Sequence, residues 1–326
     1  MVLSDSYGTF RMHSPGERFS WACYQLFVAL SAIMGDSLIL IASSRKDSFK
    51  LNSFLVAIMR HIAVCDIAIS VVHILPCAVS LIADTWVLGD TLCSLKPFMT
   101  YYFFPTNMSM ICILTTGKFL LLTGPLWARN LSSKQGHVIC SAMWLLSLVY
   151  PGLMFVLGKQ EDISFDFRTY SCECGWNALQ WLKVKSVLFV VIAVIPNAVV
   201  ILTTIPTLRY LVAARTSAKR SRVSVPWQGA LTVFLTAVVY CLSTLPGTVY
   251  LIVAPFVVKD TDSTDLYRFH LLYRYGMFVA MMNITSNFFI YTLTITSFRR
   301  YLYTKIAEIT AFQTSPQEPV SYLLTD

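Results

Sequence analysis

Charge is what this sequence has least of. Asp, Glu, Lys and Arg make up 13% of its 326 residues, about half the share of an ordinary soluble domain. Residues 97–117, 138–158, 187–208, 231–258 and 275–298 contain none of the four. Residues 21–42 hold one acid, Asp36, and residues 55–83 hold Arg60 and a second acid, Asp66. A helix needs about 20 mostly apolar residues to cross the hydrocarbon core of a bilayer. All seven of these runs are long enough, and what remains of the chain is too short for a large soluble domain. Alternation every second residue is missing too, which excludes a membrane barrel.

Further absences narrow the function. There is no Cys-x-x-Cys pair, no Cys/His spacing of a zinc site, no P-loop and no dinucleotide fingerprint. No metal cluster, Ser-His-Asp set or pair of catalytic acids faces a common loop, which argues against an enzyme. Inverted repeats with broken helices, the mark of many transporters, are also lacking. The first 20 residues have no apolar core of a signal peptide, so the first helix is expected to direct insertion itself.

What is present predicts an all-α membrane protein, a seven-transmembrane helix bundle with a short amphipathic eighth helix. Helices are expected at about 20–43, 53–80, 94–122, 137–157, 184–211, 226–255 and 268–294. The organisation is then a tail over 1–19, the helical domain over 20–295, the amphipathic helix over 296–308 and a second tail over 309–326. The net charge of +8 is unevenly spread. The connectors 43–52, 118–137 and 209–226, the tail after 297 and Arg60 hold 15 Lys and Arg against 4 acids. The opposite segments hold 10 against 11. Basic connectors stay in the cytosol, so the N-terminus is expected outside, in a multi-pass protein of the plasma membrane. The basic face then meets anionic lipid and cytosolic partners, not nucleic acid. Of the cysteines, Cys93, Cys172 and Cys174 fall in the outer segments, where disulfides persist.

Several landmarks follow in order. Trp86-Val87-Leu88-Gly89 precedes Cys93, and Ile62-Ala63-Val64-Cys65-Asp66 marks the second helix. Trp144, Pro196 and Leu245-Pro246 mark the fourth, fifth and sixth helices. Asn287-Phe288-Phe289-Ile290-Tyr291 and Phe298-Arg299-Arg300 close the series. On these residues the chain resembles a rhodopsin-like (class A) G-protein-coupled receptor over residues 20–305. The resemblance implies a disulfide from Cys93 to the second outer loop, where both Cys172 and Cys174 are available. A strained Cys172–Cys174 pair is the rival. It also implies an extracellular ligand and a heterotrimeric G protein as partners.

The departures are as specific. The family's third-helix Asp-Arg-Tyr is Gly117-Lys118-Phe119 here, so the acid is gone and lysine lacks the bidentate fork of arginine. The sixth-helix Cys-Trp-x-Pro reads Ser243-Thr244-Leu245-Pro246, and the seventh-helix proline is Phe288. By resemblance the coupling and switch residues are Gly117, Lys118, Phe119, Asn287 and Tyr291, with Arg220 and Arg222 of the basic inner loop. Signalling through a G protein is the expectation; a receptor-like scavenger or partner that does not couple is the alternative.

Two sites are expected. Asp66, Asn107, Asn283 and Asn287 map onto the family's sodium pocket, and their oxygens suit a hard cation. Asp36 adds a second carboxylate nearby. A protonated acid in a polar network is the competing reading, and no other cofactor is implied. The ligand wall is expected to hold Thr100, Tyr101, Phe104, Tyr250, Tyr273, Arg274 and Met277, with Lys183 and Lys185 at the rim. Thr100 stands where amine receptors place an aspartate, and Met281 where opsins place the retinal lysine. A peptide is therefore favoured as ligand, ahead of a lipid acid or an odorant.

Overall fold

The computed structural model describes residues 14–45, 49, 51–123, 126–157, 163–166, 170–174, 194–221, 227–257 and 264–314. α1 (Pro15–Ser43) starts at Pro15, not at 20. Ser14 Oγ accepts from the Glu17 N–H, and proline's fixed φ suits the first helical position. α2 (Ser53–Ala83) is capped by Asn52, whose Oδ1 accepts from the Phe54 N–H at 2.8 Å. One wide π turn, Ser70–Ile74, interrupts it just ahead of Pro76. It stops at Asp84, held in the left-handed region at φ 58°.

α3 (Asp90–Thr123) opens at Asp90, earlier than 94, with an acid in its first turn to match the positive end of the helix dipole. α4 (Ser133–Ser147) opens at 133 rather than 137 because Ser132 and Gln135 form a reciprocal capping box. The segment Val149–Leu157 carries it on. β1 (Ile163–Asp166) and β2 (Ser171–Cys174) form an antiparallel hairpin with Phe165 opposite Cys172. α5 (Ile195–Ser221), α6 (Trp227–Val257), α7 (Thr264–Thr294) and α8 (Thr296–Thr314) follow. The first residues of the helix expected over 184–211 lie outside the described residues. α8 runs past the expected end at 308.

Among the described residues, α1, α2, α3, Ser133–Leu153 and Leu231–Val249 are each long and apolar enough to cross a membrane. With α5 and α7 they make the seven-helix bundle, and the chain is a multi-pass membrane protein. Phe278–Thr294 turns through 95° into Thr296–Glu308. α8 therefore leaves the bundle at a right angle, pinned by Phe298 stacked on Phe49 at 5.0 Å.

Buried Ile39, Leu55, Ile58, Met110, Leu114, Tyr291 and Phe298 belong to one core cluster; Val28, Ile69, Ile74 and Phe278 belong to a second. Polar links tie the helices as well. Trp144 Nε1–H donates to His61 Nδ1 at 3.0 Å, and the other nitrogen of that ring lies 3.0 Å from His137 Nδ1. α2 and α4 are thus bridged through their side chains.

Candidate functional site

At one end of the bundle the Cys93–Cys172 disulfide ties β2 to α3. That decides between the two cysteine partners and removes the Cys172–Cys174 pairing. The same end is closed by a second tie. Arg18 of α1 forms an ion pair with Asp84 at the end of α2, and the Tyr170 hydroxyl donates to Asp84 at 3.2 Å. The hairpin is therefore fastened to α1, α2 and α3.

Beneath the hairpin the expected ligand wall divides. His73, on the π turn of α2, lies 3.0 Å from the Thr100 hydroxyl through Nδ1. Its ring meets Phe104 edge-on at 5.2 Å. Thr100 and Phe104 thus face α2. Tyr101 meets the α4 continuation, edge-on to Tyr150 at 5.6 Å. The backbones of Tyr250, Tyr273, Arg274 and Met277 are helical in α6 and α7, but their side chains fall outside the described residues. Lys183 and Lys185 lie outside them entirely.

Two side chains on this wall were not anticipated. His73 is 5% exposed and Lys96, one turn before Thr100 on α3, is 1% exposed. The spacing of Lys96 and Thr100 was a usable signal. Residues four apart share a helix face, so a lysine there points where the threonine points.

At mid-depth lies the carboxylate cluster. Asn107 Nδ2 donates to Asp66 Oδ1 at 2.6 Å, and Asn287 Nδ2 donates to Asp66 Oδ2 at 2.8 Å. Asp66, Asn107 and Asn287 are therefore brought together from α2, α3 and α7. Asn283 is buried on α7 but is not bonded to Asp66. The Asp66 oxygens are committed to amide donors. The buried oxygens without a hydrogen-bond partner among the described residues include both of Asp36, Asn283 Oδ1, Asn287 Oδ1 and the Tyr291 hydroxyl. Asp36, on α1, lies within electrostatic reach of Asp66. These orphaned oxygens are hard donors of the type a sodium ion takes. The donor types suit such an ion, and Asp36, whose oxygens no described donor bonds, is the carboxylate that would hold it.

At the opposite end Gly117, Lys118 and Tyr291 are buried and Phe119 is half-buried. The missing acid has a steric explanation. A Cβ on Gly117 would lie 2.7 Å from Phe54 Cε1. A Cβ on Gly136 of α4 would lie 2.9 Å from the Phe54 carbonyl oxygen. One phenylalanine at the start of α2 is thus seated between glycines of α3 and α4. Lys118 makes no hydrogen bond or ion pair with another described residue. Phe288, in place of the family's proline, presses on Gly35 of α1, where a Cβ would lie 2.6 Å from its own. α6 and α7 are joined here by Thr232 and Thr294, hydroxyl to hydroxyl at 2.7 Å. Arg220 ends in the helical backbone of α5, and Arg222 lies outside the described residues.

Comparison with known proteins agrees with this geometry. The family described as 7 transmembrane receptor (rhodopsin family) matches residues 35–302. A QRFP-like peptide receptor of Branchiostoma floridae is 21% identical over 169 residues, 50% of this chain and 43% of that protein. Trace amine-associated receptor 8 of Homo sapiens is 24% identical over 46% of this chain and 44% of that protein. Galanin receptor type 2 of Homo sapiens is 25% identical over 50% of this chain and 42% of that protein. The matches therefore span about half the length of these curated relatives.

Proposed function

The chain belongs to the rhodopsin family of seven-transmembrane receptors, and from that premise we propose that it is a cell-surface receptor for an extracellular peptide that signals to a heterotrimeric G protein. Proteins of this family are receptors, not enzymes. The N-terminus lies outside in this reading, supported by the basic connectors on the other face.

The observation that carries the peptide reading is the hairpin fastened over the bundle. A two-stranded sheet keeps one unpaired edge on each strand, and an extended peptide can pair with such an edge. Glu161, Asp162 and Asp166 around β1 favour basic side chains in that peptide. Two of the three relatives named above are peptide receptors by name, and Thr100 supplies no acid for an amine. Ligand binding must favour the active arrangement by contacts that the resting one does not make.

Coupling is proposed to run through Lys118. The test is guanine-nucleotide exchange on a panel of Gα subunits by the purified full chain, with and without extracellular peptides. Exchange that falls on Lys118→Ala is the expected result. Exchange indifferent to that substitution overturns the role of Lys118. No exchange with any subunit overturns coupling. It favours the second reading, a non-coupling receptor-like protein, for which the replacement of the acid by Gly117 and of the proline by Phe288 is the specific observation. An antibody to an N-terminal tag that stains intact cells checks the orientation.

We further propose that sodium is held at the carboxylate cluster by Asp36, Asn283 and Asn287. A bound cation would neutralise one of two buried carboxylates, whose burial is otherwise costly.

A further inference from the structure

The wall formed by α2 and α3 under the hairpin is shaped by an irregularity. Pro76 has no N–H and its ring crowds the carbonyl one turn back. α2 accommodates it with the π turn Ser70–Ile74. Such turns often sit at functional sites. This one carries His73 inward, onto the Thr100 hydroxyl and the edge of Phe104. Lys96 occupies the same face of α3, one turn from Thr100, and its charge acts on His73. It lies three residues from Cys93, whose disulfide holds β2 in place.

We infer that Lys96, His73 and Thr100 form a recognition subsite for a carboxylate carried by the ligand. The inference rests on reading the hairpin end as the ligand-binding end. Lys96 supplies the charge, the hydrogen-bonded His73–Thr100 pair supplies one neutral donor, and Phe104 packs against the apolar part beside the carboxylate. An ammonium carries three N–H donors, so a ligand oxygen can join whatever else the amine meets. Whichever way the His73–Thr100 bond runs, one donor of the pair, the Nε2–H or the hydroxyl, is left for a carboxylate oxygen. A single lysine matches one negative charge. A phosphate, with nearly two charges and three acceptor oxygens, is better served by arginine forks. A cationic amine would be repelled at this position. The carboxylate can come from the free C-terminus of a peptide or from a fatty acid, and both present the same group.

The test uses the purified full chain in lipid nanodiscs and measures equilibrium retention by mass spectrometry. Four probes are used: a random hexapeptide pool with free C-terminal carboxylates, the same pool as amides, decanoate, and methyl decanoate. Wild type is expected to retain an acid over its neutral counterpart by about tenfold or more, the worth of one charge-assisted hydrogen bond. Lys96→Met should abolish that preference, and Lys96→Arg should keep it to within a few-fold. Preference among the peptides assigns the peptide source, and preference for decanoate assigns the lipid source. Equal retention of acid and neutral forms overturns the inference, as does an acid preference unchanged in Lys96→Met. So does failure of a cooperatively melting wild type to retain any probe. None of these results touches the receptor reading, which stands on nucleotide exchange.

Discussion

The two ends of this bundle are fastened by different physics. At the hairpin end the ties are covalent and ionic: one disulfide, one ion pair and a tyrosine hydroxyl converge on α1, α2 and α3. At the opposite end the described ties are noncovalent and mostly packing: Phe54 between Gly117 and Gly136, two threonine hydroxyls, and the Arg60 guanidinium donating to Ser43 at the end of α1. The hairpin end keeps the residues that the family resemblance requires. The other end has Gly117 where the family has an acid, and seats the ring of Phe54 against it. Ring and glycine are in close contact, so a side chain at Gly117 would meet Phe54. A latch built from packing has a steep, short-range energy, so small displacements release it, whereas a charged latch yields gradually.

Cutting the covalent tie should have the largest effect. Cys93→Ser opens a loop of 79 residues, and losing a native disulfide typically costs about 2–5 kcal/mol. Surface expression is expected to collapse. Near wild-type expression would show that the ion pair and the bundle suffice to hold the hairpin end. At the opposite end, Gly117→Asp restores the family's acid and should nevertheless damage the protein. The new side chain overlaps Phe54, and overpacking costs about 1–3 kcal/mol. Phe54→Ala in the same chain should recover much of the lost melting temperature. If Gly117→Asp alone is stabilising, the steric account of that latch is wrong.

The same contrast explains what the sequence revealed. Spans, connector charge and Cys93 are legible because each is a local pattern with one physical meaning. The starts of α1 and α4 were missed by several residues because Ser14, Ser132 and Gln135 are caps, and a cap extends a helix beyond its apolar run. Gly117 was legible only as a missing acid. Its partner, Phe54, comes from another helix, and no spacing along the chain joins them. Asp66, Asn107 and Asn287 meet through hydrogen bonds from three helices. Which oxygens remain for a cation depends on how the amides turn, and composition does not carry that. Tyr101 meets Tyr150 while Thr100 meets His73, because adjacent residues on a helix point about 100° apart.

Between the two ends, the proposed sodium site assigns Asp66 as scaffold and Asp36 as the acid that would hold the cation. Asp66→Asn leaves one of the Asn107 and Asn287 amides facing an NH2 group. A buried donor left without an acceptor costs about 1–3 kcal/mol, so the melting temperature should drop with or without sodium. Asp36→Asn removes a carboxylate that no described donor bonds. It should leave the melting temperature in sodium-free buffer unchanged or higher, and should abolish the rise produced by sodium chloride over choline chloride. A sodium-dependent rise that persists in Asp36→Asn and vanishes in Asp66→Asn would return the cation to Asp66.

The smallest effect is expected from the tyrosine tie, and it sharpens the comparison most. Tyr170→Phe deletes one hydroxyl and keeps the ring, which packs against Phe165 at 6.1 Å. The lost bond to Asp84 is worth about 0.5–1.5 kcal/mol. Asp84 keeps its ion pair with Arg18, so it is not stranded. Global stability should therefore barely change, while amide hydrogen exchange in Ser171–Cys174 should quicken. Because Cys172 still anchors β2 to α3, the quickening should be confined to the hairpin and the end of α2. If exchange rises through α1 as well, the three ties act as one unit, and the hairpin end is as cooperative as the packed end opposite it.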